Sequence, residues 1–95
     1  MISDNYSKKI LFLTLKKTWF DLILKGDKTV ENRIIKPYWT ARLENKSFDI
    51  IVFRNGYGLK VPEMAVECKG VKKDYEAGKY RIYLGKVLSI KNYTN

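Results

Sequence analysis

Three charged side chains lie within six residues at the end of the segment 26–33, Gly-Asp-Lys-Thr-Val-Glu-Asn-Arg. They are Lys28, Glu31 and Arg33, and apolar residues flank them on both sides. Charged groups in apolar surroundings need either solvent or each other. Because side chains alternate along a strand, Glu31 and Arg33 face the same way, and a turn can swing Lys28 onto that face. The pattern predicts an acid, an amine and a guanidinium that converge on an anion or a nucleobase edge.

Lys28 and Glu31 form the candidate acid–base pair, because an amine and a carboxylate can each exchange a proton with a substrate. The structural alternative is an ion pair between them that holds the turn. Glu67 is a further candidate acid or base, since alternation places it on one strand face with Ala65 and Lys69. A solvated or salt-bridged glutamate is the alternative at that position.

A second set of residues could bind RNA or a nucleotide, because its members are cationic, aromatic or able to read a base edge. The set is Lys16, Arg33, Tyr38, Trp39, Arg42, Arg54, Asn55 and Tyr57. Arg33 offers a planar fork that suits phosphate. Arg42 follows Tyr38 and Trp39 at helical spacing, so one helix can present rings and a guanidinium to one ligand.

Near the middle of the chain, Asn55 has the donor and acceptor that read a base edge, and Tyr57 could stack on a base. Three of the candidate binding residues also have a structural interpretation. Trp39 could be a core residue, Asn55 with Gly56 a tight turn, and Lys16 a solvated lysine before a helix.

Several kinds of chemistry are excluded by composition. The chain has no histidine and one cysteine, Cys68, which excludes Ser–His, Cys–His and two-histidine mechanisms and the usual tetrahedral zinc sites. No P-loop pattern occurs, and Gly56-x-Gly58 lacks the third glycine of a dinucleotide site. We therefore expect neither a metal nor a cofactor.

The 95 residues predict a single domain over 1–95, with its core at about 9–91. A net charge of +9 attracts polyanions, and the 14% of aromatic residues suit unpaired bases; ordinary solubility charge is the alternative. The N-terminus lacks signal-peptide features, and no apolar run reaches the roughly 20 residues of a membrane span. One cysteine excludes an internal disulfide. We expect a cytoplasmic protein without membrane contact, a monomer in preference to an oligomer.

Local patterns predict strands at 9–16, 29–35, 48–54, 64–73 and 80–90. The first strand alternates so little that both of its faces should be covered. Thr18 is the expected N-cap of a helix that ends before Gly26, and Pro37 starts a second short helix. This order predicts an α+β fold, a small, mixed, mostly antiparallel β-barrel of about five strands with two short helices.

Apolar spacing also indicates which side chains form the core. The expected core residues are Trp19, Phe20, Ile23 and Leu24 in the first helix, Trp39 and Leu43 in the second, and Cys68 beside Met64 and Val66.

The spacing G-x-K-x-x-E-x-R resembles the signature of the ASCH domain, a small family with a PUA-like β-barrel. Residues 13–16, 53–56 and 81–87 also resemble that family, so the likeness covers roughly residues 10–90. It implies a pocket around the motif, with Lys16 in its wall. Family members that deacylate modified cytidine use the matching lysine with a threonine and a glutamate. Here Glu31 occupies the threonine position, and a carboxylate cannot replace a hydroxyl nucleophile.

Residues and resemblance together predict an RNA- or nucleotide-binding domain with a basic, aromatic-lined cleft around the motif. One alternative is a metal-independent hydrolase, a ribonuclease or an N4-acylcytidine amidohydrolase, with Lys28 and Glu31 as the acid–base pair. A second alternative is a protein-interaction module whose cleft is vestigial.

Overall fold

The computed structural model describes residues 8–94, which form one mixed five-stranded sheet and two helices. The elements are β1 (Ile10–Thr14), α1 (Lys17–Lys25), β2 (Val30–Ile34), α2 (Pro37–Leu43), β3 (Ile50–Arg54), β4 (Glu63–Asp74) and β5 (Lys79–Lys91). The strand order is β1-β3-β4-β5-β2. Only β1 and β3 run parallel, and the other pairs are antiparallel. The predicted small α+β, barrel-like fold with mostly antiparallel strands is confirmed.

The sheet curls into a half-barrel, and the long β4–β5 hairpin is where its register is irregular. Register shifts occur between Ala65 and Val66, between Val66 and Cys68, and between Cys68 and Gly70. Such irregularities bend a strand and increase its twist. The curl brings the two edge strands, β1 and β2, towards each other, and the candidate site lies between them.

The core lies between one face of the sheet and the inner faces of both helices. It contains Leu11, Leu13, Leu15, Phe20, Ile23, Leu43, Ile51, Phe53, Met64, Val66, Tyr80, Ile82 and Leu84. Trp39 and Cys68 are partly buried against this cluster, as expected for packing residues. Within residues 8–94, no helix is both long enough and apolar enough to cross a membrane.

Two expectations about the core are wrong. The first strand is covered on one face only, since Ile10 and Phe12 are exposed while Leu11 and Leu13 are buried. An edge strand of a single curled sheet packs its inner face and leaves the other in solvent. Trp19 is 47% exposed, because α1 docks through Phe20 and Ile23.

The predicted N-cap of α1 is also wrong. The helix begins at Lys17, so Thr18 lies inside the first turn, and Lys16 occupies the N-cap position without a side-chain hydrogen bond. At the other end the prediction holds. Gly26 has φ 86° and donates its amide to the Ile23 carbonyl, as a left-handed C-cap does.

Candidate functional site

Glu31 is the buried charged residue at the centre of the site, with 7% of its surface exposed. Its Oε1 lies 3.4 Å from Lys28 Nζ. Its Oε2 lies 2.9 Å from Arg33 Nε and 2.8 Å from Arg33 Nη2. The acid, the amine and the guanidinium that the sequence predicted to converge therefore do so, and each carboxylate oxygen already has a cationic partner.

Local geometry explains this convergence. After the Gly26 cap, the amides of Asp27 and Lys28 both donate to the Leu22 carbonyl, which turns the chain towards β2. Lys28 Nζ donates to the Val30 carbonyl at 2.6 Å, so the amine is held over the start of the strand. Alternation along β2 then places Glu31 and Arg33 on one face.

An open cleft of about 360 Å³ lies beside this cluster, and we call it the tryptophan cleft. Its main lining residues are Lys16, Trp19, Glu31, Arg33, Lys36 and Trp39. Arg33 Nη2 reaches the Thr14 carbonyl at the end of β1, 3.4 Å away. The cleft therefore lies where the two sheet edges approach each other, and Lys16 and Lys36, the residues that precede the two helices, lie at its rim.

A cation lies over the ring of each of the two tryptophans that line the cleft. The Cζ of Arg33 lies 4.8 Å from the ring centroid of Trp39, and Lys28 Nζ lies 5.6 Å from the ring centroid of Trp19. Glu31 offsets one of these two charges, whereas Lys16 and Lys36 are exposed at the rim. The cleft is thus electropositive, and two indole rings are among its lining residues.

A second hollow of about 420 Å³ lies on the other side of the Arg33–Trp39 pair, and we call it the aromatic groove. It brings together Tyr38, Arg42 and Tyr57 with the exposed ring of Phe12. The predicted binding residues of the second helix therefore line this groove instead of the tryptophan cleft, with Trp39 between the two.

Arg54 and Asn55 hold the loop that follows β3, and neither lines the tryptophan cleft. Arg54 Nε pairs with Glu63 at 3.2 Å, and its Nη2 donates to the Gly58 carbonyl. Asn55 Nδ2 donates to the Leu15 carbonyl at 3.0 Å. Both side chains are engaged by the protein itself, so their contacts favour a structural role.

Glu67, the third candidate acid or base, is exposed and lies outside both hollows. Its carboxylate accepts a long hydrogen bond of 3.4 Å from the backbone amide of Lys86. It also rests against Gly85, where an added Cβ would collide with it. The structure therefore separates Glu67 from the Lys28–Glu31 pair.

Two cleft residues, Trp19 and Lys36, were not predicted to belong to the site. Trp19 was assigned to the core, and Lys36, the residue before Pro37, was given no role. The available signal is their position, because Trp19 lies in the first turn of α1 and Lys36 at the N-cap of α2, the helices on either side of the motif.

A separate polar cluster ties the end of α2 to the β4–β5 hairpin. The Tyr80 hydroxyl donates to Glu44 Oε1 at 2.7 Å, and Lys73 Nζ lies 3.0 Å from the same oxygen. These two partners lower the pKa of Glu44, and Glu44 in turn raises the pKa of Lys73. Thr40 completes the cluster through the Tyr80 hydroxyl. Its hydrogen bonds are internal, which indicates a stabilising role.

Within residues 8–94, no group of histidine, cysteine, aspartate or glutamate side chains could hold a metal ion. No family model, curated protein or solved structure matches the chain. What the site binds must therefore be inferred from its own geometry and charge.

Proposed function

We propose that the tryptophan cleft binds a nucleotide, either free or within RNA, and that the chain is a nucleotide-binding domain of the ASCH type. The observation that carries this proposal is that two indole rings, each beside a cation, line an electropositive cleft together with Arg33. Aromatic and guanidinium faces stack on nucleobases of any sequence, and lysines nearby neutralise phosphate.

Each lining residue has a distinct role in this proposal. Trp19 and Trp39 offer ring faces to the base, and the contact with Glu31 holds the Arg33 guanidinium against Trp39. Lys16 and Lys36 reach the phosphate from the rim of the cleft. The volume of about 360 Å³ falls at the small end of ligand pockets, which suits a single nucleotide.

The contacts favour binding over hydrolysis. A general base must offer a lone pair to the substrate, but Arg33 already donates to one oxygen of Glu31 and Lys28 Nζ lies 3.4 Å from the other. Lys28 already donates to the Val30 carbonyl and does not line the cleft. Glu31 also stands in place of the threonine that ASCH amidohydrolases use. The Lys28–Glu31 pair is therefore better explained as a clamp, an ion pair that helps to fix Glu31 and, through it, the orientation of Arg33 in the cleft.

The test compares two double variants that lose the same charge. Lys16→Gln/Lys36→Gln removes the two rim lysines, whereas Lys69→Gln/Lys86→Gln removes two exposed lysines outside the cleft. Binding of a fluorescein-labelled uridine octamer is followed by anisotropy at about 50 mM salt. We expect the rim variant to bind about tenfold more weakly than the control variant.

Equal loss in both variants would show that only overall charge attracts RNA, which contradicts a specific cleft. No binding by the wild type would contradict the proposal altogether and favour the protein-interaction alternative. Turnover of the octamer or of N4-acetylcytidine that Lys28→Met abolishes would instead establish the hydrolase.

A further inference from the structure

The aromatic groove has the chemistry of a stacking surface for bases. Its three exposed aromatic residues are Phe12, Tyr38 and Tyr57, with 55%, 57% and 84% of their surfaces exposed. The Cζ of Arg42 lies 5.4 Å from the ring centroid of Tyr38. Large apolar rings left in solvent beside a guanidinium are typical of sites that take unpaired bases.

Arg42 also carries an unused hydrogen-bond donor. Its Nη2 donates to the Phe12 carbonyl at 3.4 Å, but its Nε is buried and, among residues 8–94, has no hydrogen-bond partner. A buried donor without an acceptor is unfavourable, which favours a turn of the guanidinium that would let Nε donate to a ligand oxygen in the groove. A phosphate or a base carbonyl supplies such an oxygen.

The groove and the tryptophan cleft share a wall. Arg33 and Trp39 line both hollows, and Tyr38 meets the edge of Trp39 with their centroids 4.8 Å apart. A chain of nucleotides could therefore place one base in the cleft and the next in the groove, with the Arg33–Trp39 pair between them.

We infer that the aromatic groove is a second nucleotide subsite, so that the ligand is single-stranded RNA and not a free nucleotide. This inference rests on the proposed function of the tryptophan cleft. Charge favours RNA over a protein segment as the occupant, because Arg33 and Arg42 line the groove and, within residues 8–94, no carboxylate does.

The test separates the two subsites with two probes, uridine 5′-monophosphate and the labelled uridine octamer. Arg42→Gln/Tyr57→Ala removes one charge and one exposed ring from the groove. The control variant, Tyr75→Ala/Lys79→Gln, also removes one exposed ring and one charge, but from a region outside both hollows. We expect the groove variant to bind the octamer about tenfold more weakly than the control variant, with monophosphate affinity unchanged in both.

The outcomes distinguish a failure of the second subsite from a failure of the proposed function. Equal octamer affinity of the two variants would overturn the second subsite but would not contradict nucleotide binding in the tryptophan cleft. A matching loss of monophosphate affinity in the groove variant would mean that both hollows hold one nucleotide, which also overturns it. Failure of the wild type to bind either probe would overturn the proposed function itself. Self-association that Tyr57→Ala abolishes, measured by sedimentation, would assign the groove to a second copy of the chain.

Discussion

Glu31 shows how one buried carboxylate can organise the charged groups around it. Moving a carboxylate out of water costs free energy, and a nearby cation repays that cost only when the geometry is good. Here Lys28 and Arg33 engage one oxygen each. The result is a fixed orientation for Arg33, whose guanidinium then covers one face of Trp39.

Replacing this acid should therefore cost stability as well as binding. We expect Glu31→Gln to lower the free energy of unfolding by about 3 kcal/mol, because two partly buried cations lose their counter-charge. Urea denaturation followed by tryptophan fluorescence measures the change. Glu76→Gln, at an exposed loop position, is the matched control and should change it by less than about 0.5 kcal/mol. Equal stability of the two variants would contradict the clamp.

At the scale of the element, α1 divides its aromatic residues between two tasks. Phe20 is 1% exposed and stacks on Tyr93 with ring centroids 6.0 Å apart, so it belongs to the core. Trp19, its neighbour in sequence, points to the cleft and contacts Lys28. Successive helical residues are rotated by about 100°, which is enough to send one ring inward and the next towards solvent.

The two neighbours should respond differently to truncation. Phe20→Ala should lower the free energy of unfolding by about 3–5 kcal/mol, since it leaves a cavity in the core. Trp19→Ala should lower it by less than about 1 kcal/mol and instead weaken binding of the uridine octamer. Thermal melts and anisotropy titrations of both variants check this. A larger loss of stability for Trp19→Ala than for Phe20→Ala would show that Trp19 contributes to the core and contradict this division of tasks.

At the scale of the whole molecule, the net charge of +9 acts at long range on any polyanion. That attraction alone cannot distinguish a site from a uniformly basic surface. What distinguishes them is the number of counterions released when phosphates contact particular lysines. Lys16 and Lys36 are the residues at the rim of the cleft for which this number can be measured.

Octamer affinity should fall linearly with salt on a double-logarithmic plot. Each phosphate contact to a single strand contributes about 0.7 to the slope. If both rim lysines bind phosphate, the slope of Lys16→Gln/Lys36→Gln should be shallower than the wild-type slope by about 1.4. Lys69→Gln/Lys86→Gln should keep the wild-type slope. Parallel lines for the wild type and both variants would count against phosphate contacts at the rim.

Local rules were sufficient for the order of the elements and for the centre of the site. Gly26 ends α1 because a left-handed residue there carries no steric penalty. The period of a strand places Glu31 on the same face as Arg33, and Lys28 is only a short turn away. These features depend on neighbours in sequence, so the sequence by itself determined them.

Other features were decided only by the tertiary structure. An apolar stripe defines a wide arc of α1, but docking on the sheet decides that Phe20 and Ile23 face the core while Trp19 borders the cleft. The cleft itself forms because the curled sheet brings the end of β1 to β2, and Arg33 reaches the Thr14 carbonyl across that gap. Local periodicity cannot specify such contacts, because they join residues far apart in the chain.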